Sequence, residues 1–294
     1  MNVSVAASYR ACQRLARRTA SNFYYPFVLL PQAKRQAMCA LYAFLRQTDD
    51  LGDSQLPVEA RRAALAAWRE ALDAALAGEH RNVYFPALAD TVARFNIPSQ
   101  YLHQAIDGME MDLEVRRYET FEDLRQYCYC VASTVGLACI HIWGFRGDAA
   151  LLPAEQAGVA FQLTNILRDL TEDADRGRIY LPLEDLRRFD YRPEELQQRV
   201  YDERFRRLMQ FEIERAEQFY EASRELEAWL HRDGVGVFRA MSGIYRGLLD
   251  EMRRRRGDVF SSRVRLTTAR KLWIAAWCMA KPAVERYFAG ATGR

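Results

Sequence analysis

Residues 162–173 read QLTNILRDLTED, and the reading of this stretch decides the fold. As a helix, it places Gln162, Asn165, Asp169 and Asp173 (or its neighbour Glu172) at steps of three and four, so they share one face. Leu163, Ile166, Leu167 and Leu170 supply the apolar packing beside them. Asp169 and Asp173, four residues apart, repel one another unless cations sit between them. Oxygen-only ligands suit a hard ion such as Mg²⁺, which keeps several waters and bridges carboxylates to substrate phosphates. For this stretch alone, a solvated acidic face is the plain alternative.

A second stretch narrows the choice. Residues 42–53 read YAFLRQTDDLGD. Tyr42, Arg46, Asp49 and Asp53 follow at spacings of 4, 3 and 4, with Asp50 alongside, and would again share a helical face. Two such helices, each with an arginine nearby (Arg46 and Arg168), form an acidic jaw with cationic groups at its rim. That is a device for holding a diphosphate through Mg²⁺.

Composition bounds the rest. The chain has 294 residues, half of them hydrophobic, so a sizeable core is available. The 42 basic and 39 acidic residues nearly cancel to +3, which argues against nucleic acid as a partner. Cys12, Cys39, Cys128, Cys130, Cys139 and Cys278 lack zinc spacing and read as reduced thiols of a cytoplasmic protein. Arginines 10, 14, 17 and 18 interrupt any leader-like apolar run at the amino terminus. Residues 127–145 carry no formal charge over 19 positions, yet their Ser, Thr, His and Gly favour a buried helix over a membrane span. No hydrophobic tail is read after residue 280, so an anchor there is not expected.

The pattern along the chain is helical throughout, with no credible β stretch. It predicts a basic helix over 4–20 and an aromatic segment over 22–31. Pro31 then opens the helix of the first acidic motif. Further helices are expected over 58–77, 86–94 and 98–114. Thr120, with Asp123 three positions on, caps a helix leading into 127–143. The central helix runs from Pro153 to about Asp175. Residues 194–232 read as one long charged helix, 237–255 as another and 268–288 as the last. The Arg253–Arg256 run reads either as a nucleic-acid patch or, more economically, as cations at a helix C-terminus. The expectation is one all-α domain over 1–294, a helical bundle around a central cavity.

Four stretches carry a resemblance: SNFYYPFVLLP, DDLGD, YCYCVASTVG and NILRDLTEDADRGRIYLP. In this order the chain resembles the squalene/phytoene synthase family from about Ser21 to Arg265. The resemblance implies that Asp49, Asp53, Asn165, Asp169 and Asp173 hold Mg²⁺, with Mn²⁺ as a substitute. It implies catalytic roles for Tyr42, Arg46, Arg168 and Tyr245, and for Tyr127 and Tyr129, which the sequence does not rank. Substrate contacts are implied for Phe23, Arg46, Ala132, Val135, Gly136, Gln162, Asn165, Arg168, Arg178, Tyr245 and Arg263. The small residues Ala132, Val135 and Gly136 would leave room for a prenyl chain or for close helix packing. Gly52 departs from the family pattern, where a larger residue is usual, and is expected to loosen that helix end.

The implied reaction joins two allylic prenyl diphosphates through their first carbons. The bacterial hopanoid-pathway enzymes resemble this chain through FYYPFVLLP and LYAFLRQTDD. With the bulky Phe23, Tyr24, Tyr25 and Phe27, they point to farnesyl diphosphate as substrate and presqualene diphosphate as product, towards squalene, hopanoid or C30 carotenoid synthesis. The alternative is a phytoene synthase acting on geranylgeranyl diphosphate. NADPH enters only if the reaction proceeds to squalene. A catalytically silent assembly factor on the same fold is the non-enzyme reading, and a terpene cyclase a third, against which RGRIYLP argues. Downstream isoprenoid enzymes would be protein partners. The expected location is the cytoplasm, with peripheral attachment to the inner membrane compatible with apolar products.

Overall fold

A computed structural model describes residues 3–19, 24–80, 82–271, 273, 274, 276 and 277. Among them, α1 spans Val5–Thr19, α2 Tyr24–Phe27, α3 Gln32–Gly52, α4 Val58–Leu76 and α5 Phe85–Phe95. α6 covers Ser99–Glu114 and α7 Phe121–Cys128; a π turn, Tyr129–Ser133, joins α7 to α8, Thr134–Trp143. α9 is Leu151–Asp175, α10 Leu183–Arg188 and α11 Pro193–Gln197. α12 covers Glu203–Ser223, α13 Leu226–Trp229 and α14 Arg232–Arg254. No strand forms among the described residues; two isolated bridges, Arg117 with Ile179 and Phe145 with Leu230, tie loops together. The all-α expectation holds.

Local chemistry sets the boundaries that matter for the site. Pro31, with ψ 149°, stands extended before α3 and cannot continue a helix backwards. Thr120 and Asp123 form the expected capping box: Asp123 N–H donates to Thr120 Oγ1 at 3.2 Å, and Thr120 N–H to Asp123 Oδ2 at 3.0 Å. Gly177, at φ +74°, takes the left-handed conformation that turns the chain out of α9. The departing loop is then strapped down, Ile179 N–H donating to Arg116 O at 2.9 Å and Leu183 N–H to Tyr118 O at 2.9 Å.

α9 is the central element. Leu163, Ile166, Leu167 and Leu170 are all buried, and α12 packs along it. Its first half runs close beside the π turn: a Cβ on Gly158 would lie 2.6 Å from the Ser133 nitrogen, so only glycine fits. Two apolar clusters flank the middle of the molecule. One gathers Cys12, Phe44, Trp68 and Phe85; the other gathers Leu124, Ile166, Phe205 and Tyr220. Phe161 packs against both.

Several expectations are corrected. Residues 194–232 are not one helix. Arg199 adopts φ +56° after α11, and Asp202 caps a new helix, accepting from Phe205 N–H at 3.0 Å. Leu230 and His231 are extended, and α14 begins at Arg232, five residues before the expected 237. The Gly52 helix end is not loosened. Asp53 N–H donates to Asp49 O at 2.8 Å, Arg61 donates to Gly52 O at 2.9 Å, and Met109 packs beside Gly52 at ordinary contact distance. Residues 127–145 divide into the end of α7, the π turn and α8, and no described helix is long and apolar enough to cross a membrane. The arginine run closes α14 in ion pairs, Arg253 with Glu217 and both Arg254 and Arg255 with Glu251. The expected last helix lies largely outside the described residues; 268–271 are helical.

Candidate active site

The two acidic motifs meet. Asp49 and Asp53 on and just after α3, and Asp169 and Asp173 on α9, line one cavity of about 450 Å³. Arg46, Arg168, Arg176 and Arg178 join them at its polar end. Phe27, Met38, Leu41, Val131, Ile166 and Met241 make the apolar end. A narrower apolar annex of about 140 Å³ shares Val135, Gln162 and Asn165 with the main cavity and is closed by Ala132, Gly136, Gly158 and Phe161. A charged end joined to a greasy interior suits a ligand with a polyanionic head and a hydrocarbon tail.

The carboxylates are under electrostatic load. Asp49 has surface open to the cavity but is walled in by protein. Burial, and then Asp53 and Asp50, push its carboxyl up to about 7 against the pull of Arg46. Burial and Asp169 push Asp173 up to about 7, with Arg178 opposing. Arginines answer part of this charge. Arg168 Nε donates to Asp169 Oδ1 at 2.8 Å, and Arg263 reaches the same oxygen at 2.7 Å and Glu172 at 3.1 Å. Arg46 pairs with Asp50 at 2.7 Å. Arg178 and Arg176 close on Asp53 at 3.3 and 3.6 Å.

Three buried polar atoms lining this region have no partner: Asn165 Oδ1, Arg46 Nε and Arg178 Nε. An unmatched acceptor among carboxylates fits a cation, and unmatched guanidinium donors fit an anion. Among the described residues no three acidic, imidazole or thiol groups converge on one point. The residues therefore fit ions held by one or two carboxylates each, completed by water and phosphate oxygens, which is how Mg²⁺ is usually bound.

The remaining sequence candidates divide. Tyr42 lines the cavity and donates to Thr19 Oγ1 at 3.0 Å. Tyr245 is buried on the annex, hydrogen-bonded to Asn165 and stacked on Phe161 at 4.7 Å. Gln162 accepts from Asn165 Nδ2 at 3.3 Å. Tyr127 lines the cavity, whereas Tyr129 does not and packs against the first apolar cluster. Two residues apart on a helix, Tyr127 and Tyr129 point to different sides, and only Tyr127 turns to this cavity. Arg263 lines not the main cavity but a basic recess of about 380 Å³ with Arg168, Arg265 and Lys271. It touches the acidic face from behind Arg168. Phe23 lies outside the described residues.

Two hydrogen-bonded cavity residues, Asp112 and Tyr180, were given no role in the sequence reading. Asp112 on α6 is 4% exposed and accepts from Tyr180 Oη at 2.7 Å and Tyr127 Oη at 2.9 Å. Burial pushes the Asp112 carboxyl up; Tyr180, Arg178 and Tyr127 hold against it. Asp112 stands among Asp107, Glu110 and Glu114 near the end of α6, so its acidity gave no distinct signal, and Tyr180 was quoted within RGRIYLP without a role.

The chain is similar to proteins of known family. Residues 16–270 match the squalene/phytoene synthase family. The chain is 39% identical over 281 residues to the 15-cis-phytoene synthase of Synechococcus elongatus, covering 92% of this chain and 91% of that one. It is 40% identical over 278 residues to the phytoene synthase of Arthrospira platensis, covering 90% of each. A dehydrosqualene synthase crystal structure with ligand superposes at TM-score 0.87 and 28% identity, over 95% of this chain and 98% of that one. A squalene synthase from Alicyclobacillus acidocaldarius gives 0.81 and 30%, over 86% and 95%. A match of that extent, on a helical fold shared with these synthases, makes the chain a member of the squalene/phytoene synthase family, whose members are prenyltransferases.

Proposed function

We propose that the protein joins two geranylgeranyl diphosphates head to head, releasing diphosphate on the way to phytoene. The observation that carries the choice of substrate is the 39–40% identity, across nine-tenths of the chain, to relatives named phytoene synthase. This reverses the sequence-based preference for farnesyl diphosphate. That C15 reading stays second, favoured by the dehydrosqualene and squalene synthases among the structural neighbours. All four aspartates stand on one cavity, which favours an enzyme over a silent relative.

In this reading Asp49 and Asp53 on one side, and Asp169, Asp173 and Asn165 on the other, would hold Mg²⁺, or Mn²⁺ in its place. When bound, it would neutralise diphosphate charge and so assist its departure. Arg46, Arg168 and Arg178 donate to phosphate oxygens as charge develops on the leaving group. The apolar walls from Met38, Leu41, Val131 and Ile166 keep water from the allylic cation, which would otherwise be quenched to an alcohol. The second substrate's double bond attacks the cationic carbon, and proton loss closes a cyclopropane. Because the product is apolar, we place the protein in the cytoplasm with peripheral, salt-releasable attachment to the inner membrane.

The test is a competition. Equal farnesyl and geranylgeranyl diphosphate are supplied with Mg²⁺, with and without NADPH, and products are identified by mass. A C40 product is expected. A dominant C30 product would restore the farnesyl reading, and an NADPH requirement would point to squalene.

A further inference from the structure

Beside the acidic cluster, within electrostatic reach of Asp49, Asp53 and Asp173, one wall of the cavity holds an arrangement to which the reading above gives no role. Tyr127 and Tyr180 both line the cavity, their rings 5.2 Å apart and inclined by 25°. Tyr118 packs behind them at 5.5 and 5.9 Å. Each cavity-lining phenol gives its proton to a different oxygen of the same carboxylate, Tyr180 to Asp112 Oδ1 at 2.7 Å and Tyr127 to Asp112 Oδ2 at 2.9 Å, with a longer 3.5 Å contact from Tyr127 Oη to Tyr180 Oη. Asp112 is a single buried acceptor serving two donors from distant parts of the chain. Arg178 supplies a positive charge nearby and ties the group to Asp53.

A phenol has one proton and two lone pairs. With both protons committed to Asp112, the two hydroxyls have none to offer the cavity, and their oxygens and ring faces are negative surfaces. Such a surface stabilises a cation, whereas a hydroxyl proton aimed at it would oppose one. A phenol with no partner would also retain a water molecule, and water quenches an allylic cation. We propose that Asp112 is a positioning residue: it holds Tyr127 and Tyr180 with their protons turned away from the cavity, prolonging the cation until the second substrate captures it. This rests on the head-to-head reading above.

Asp112→Asn is the sharp test because it keeps the shape and removes one acceptor. The amide can accept from one tyrosine but must donate to the other, reversing that hydroxyl. The measurement is the ratio of condensed product to diphosphate released, with prenyl alcohol counted as the quenched fraction. We expect that ratio to fall by at least about tenfold as alcohol rises, in keeping with the loss of a hydrogen bond to a charged group. A merely structural role would slow turnover without moving the ratio. Asp112→Ala gives a second reading if Asp112→Asn fails to fold: it removes both acceptors and frees both hydroxyl protons, so the same shift is expected. A wild-type ratio in the folded variants overturns the proposal, whether or not the overall rate falls. Wild-type protein that releases no diphosphate from either prenyl diphosphate defeats the head-to-head reading itself, a result separate from an unchanged ratio.

Discussion

Arg178 Nη1 stands 3.3 Å from Asp53 Oδ1, clasping the loop that leaves α9 to the residue that closes α3. Arg178 is 7% exposed, and its Nε has no partner. A buried guanidinium with a donor to spare, beside carboxylates, is arranged to meet a further anion. Arg178→Ala is therefore expected to lower kcat/KM at least about tenfold. Arg178→Lys should recover only part, because an ammonium lacks the planar fork. Steady-state kinetics and melting temperature check this together. A lowered melting point with unchanged kcat/KM would make Arg178 a strut and nothing more.

Asp49→Ala and Asp169→Ala are each expected to cut diphosphate release by at least about a hundredfold. The folded protein should tolerate both. Burial and neighbouring carboxylates already push Asp49 up to about 7, so a neutral residue there relieves repulsion. Circular dichroism and melting curves should stay close to wild type. Normal turnover of either variant with Mg²⁺ would remove the two-helix jaw from the mechanism, and a collapsed melting point in both would give these residues a structural role.

What was legible in the sequence was whatever local periodicity controls. Asp49 and Asp53, like Asp169 and Asp173, lie four apart, and a helix puts such residues on one face regardless of tertiary context. Their convergence on one cavity followed from pairing two such faces. Tyr127 and Tyr129, two apart, fall on different sides of a helix, and which side meets the cavity depends on how that helix packs, which spacing does not reveal. The break at 198–202 depends on Asp202 capping the helix that follows it rather than continuing a charged helix, and the surrounding charge pattern suits both. The Asp112–Tyr180 bond spans 68 residues and leaves no spacing to read.

Acid should weaken the far end of α14. Glu251 accepts from Arg254 Nε and Arg255 Nε, both at 2.9 Å, and these contacts hold its carboxyl down to about 2. A carboxylate whose folded pKa is depressed contributes stability above its unfolded pKa, and that contribution is lost as pH falls through the folded value. The window therefore runs from the ordinary 4.5 down to about 2. Glu251→Gln is expected to lower the melting temperature at pH 7 by roughly 2–4 °C, about 1 kcal/mol in a chain of this size. It should also flatten the decline between pH 4.5 and 2. Parallel acid limbs for the two proteins would rule Glu251 out as the titrating group.

The annex beside Ala132 sets an expectation for substrate length. Its walls are small or apolar, Ala132, Gly136 and Gly158 among them, and it opens onto the main cavity past Val135. A C20 chain exceeds a C15 chain by one isoprene unit, and burial is worth about 0.8 kcal/mol per CH₂. An open annex thus favours the longer chain by several kcal/mol, and only a steric stop reverses the order. Ala132→Phe supplies that stop: the ring would occupy much of the 140 Å³. The variant should lose turnover of geranylgeranyl diphosphate by at least about tenfold while farnesyl diphosphate suffers less, so the kcat/KM ratio moves toward the shorter substrate. Measuring both substrates on both proteins decides it. Equal losses would mean the annex takes no part in chain-length choice, which would then rest with Phe27 and Met38 in the main cavity.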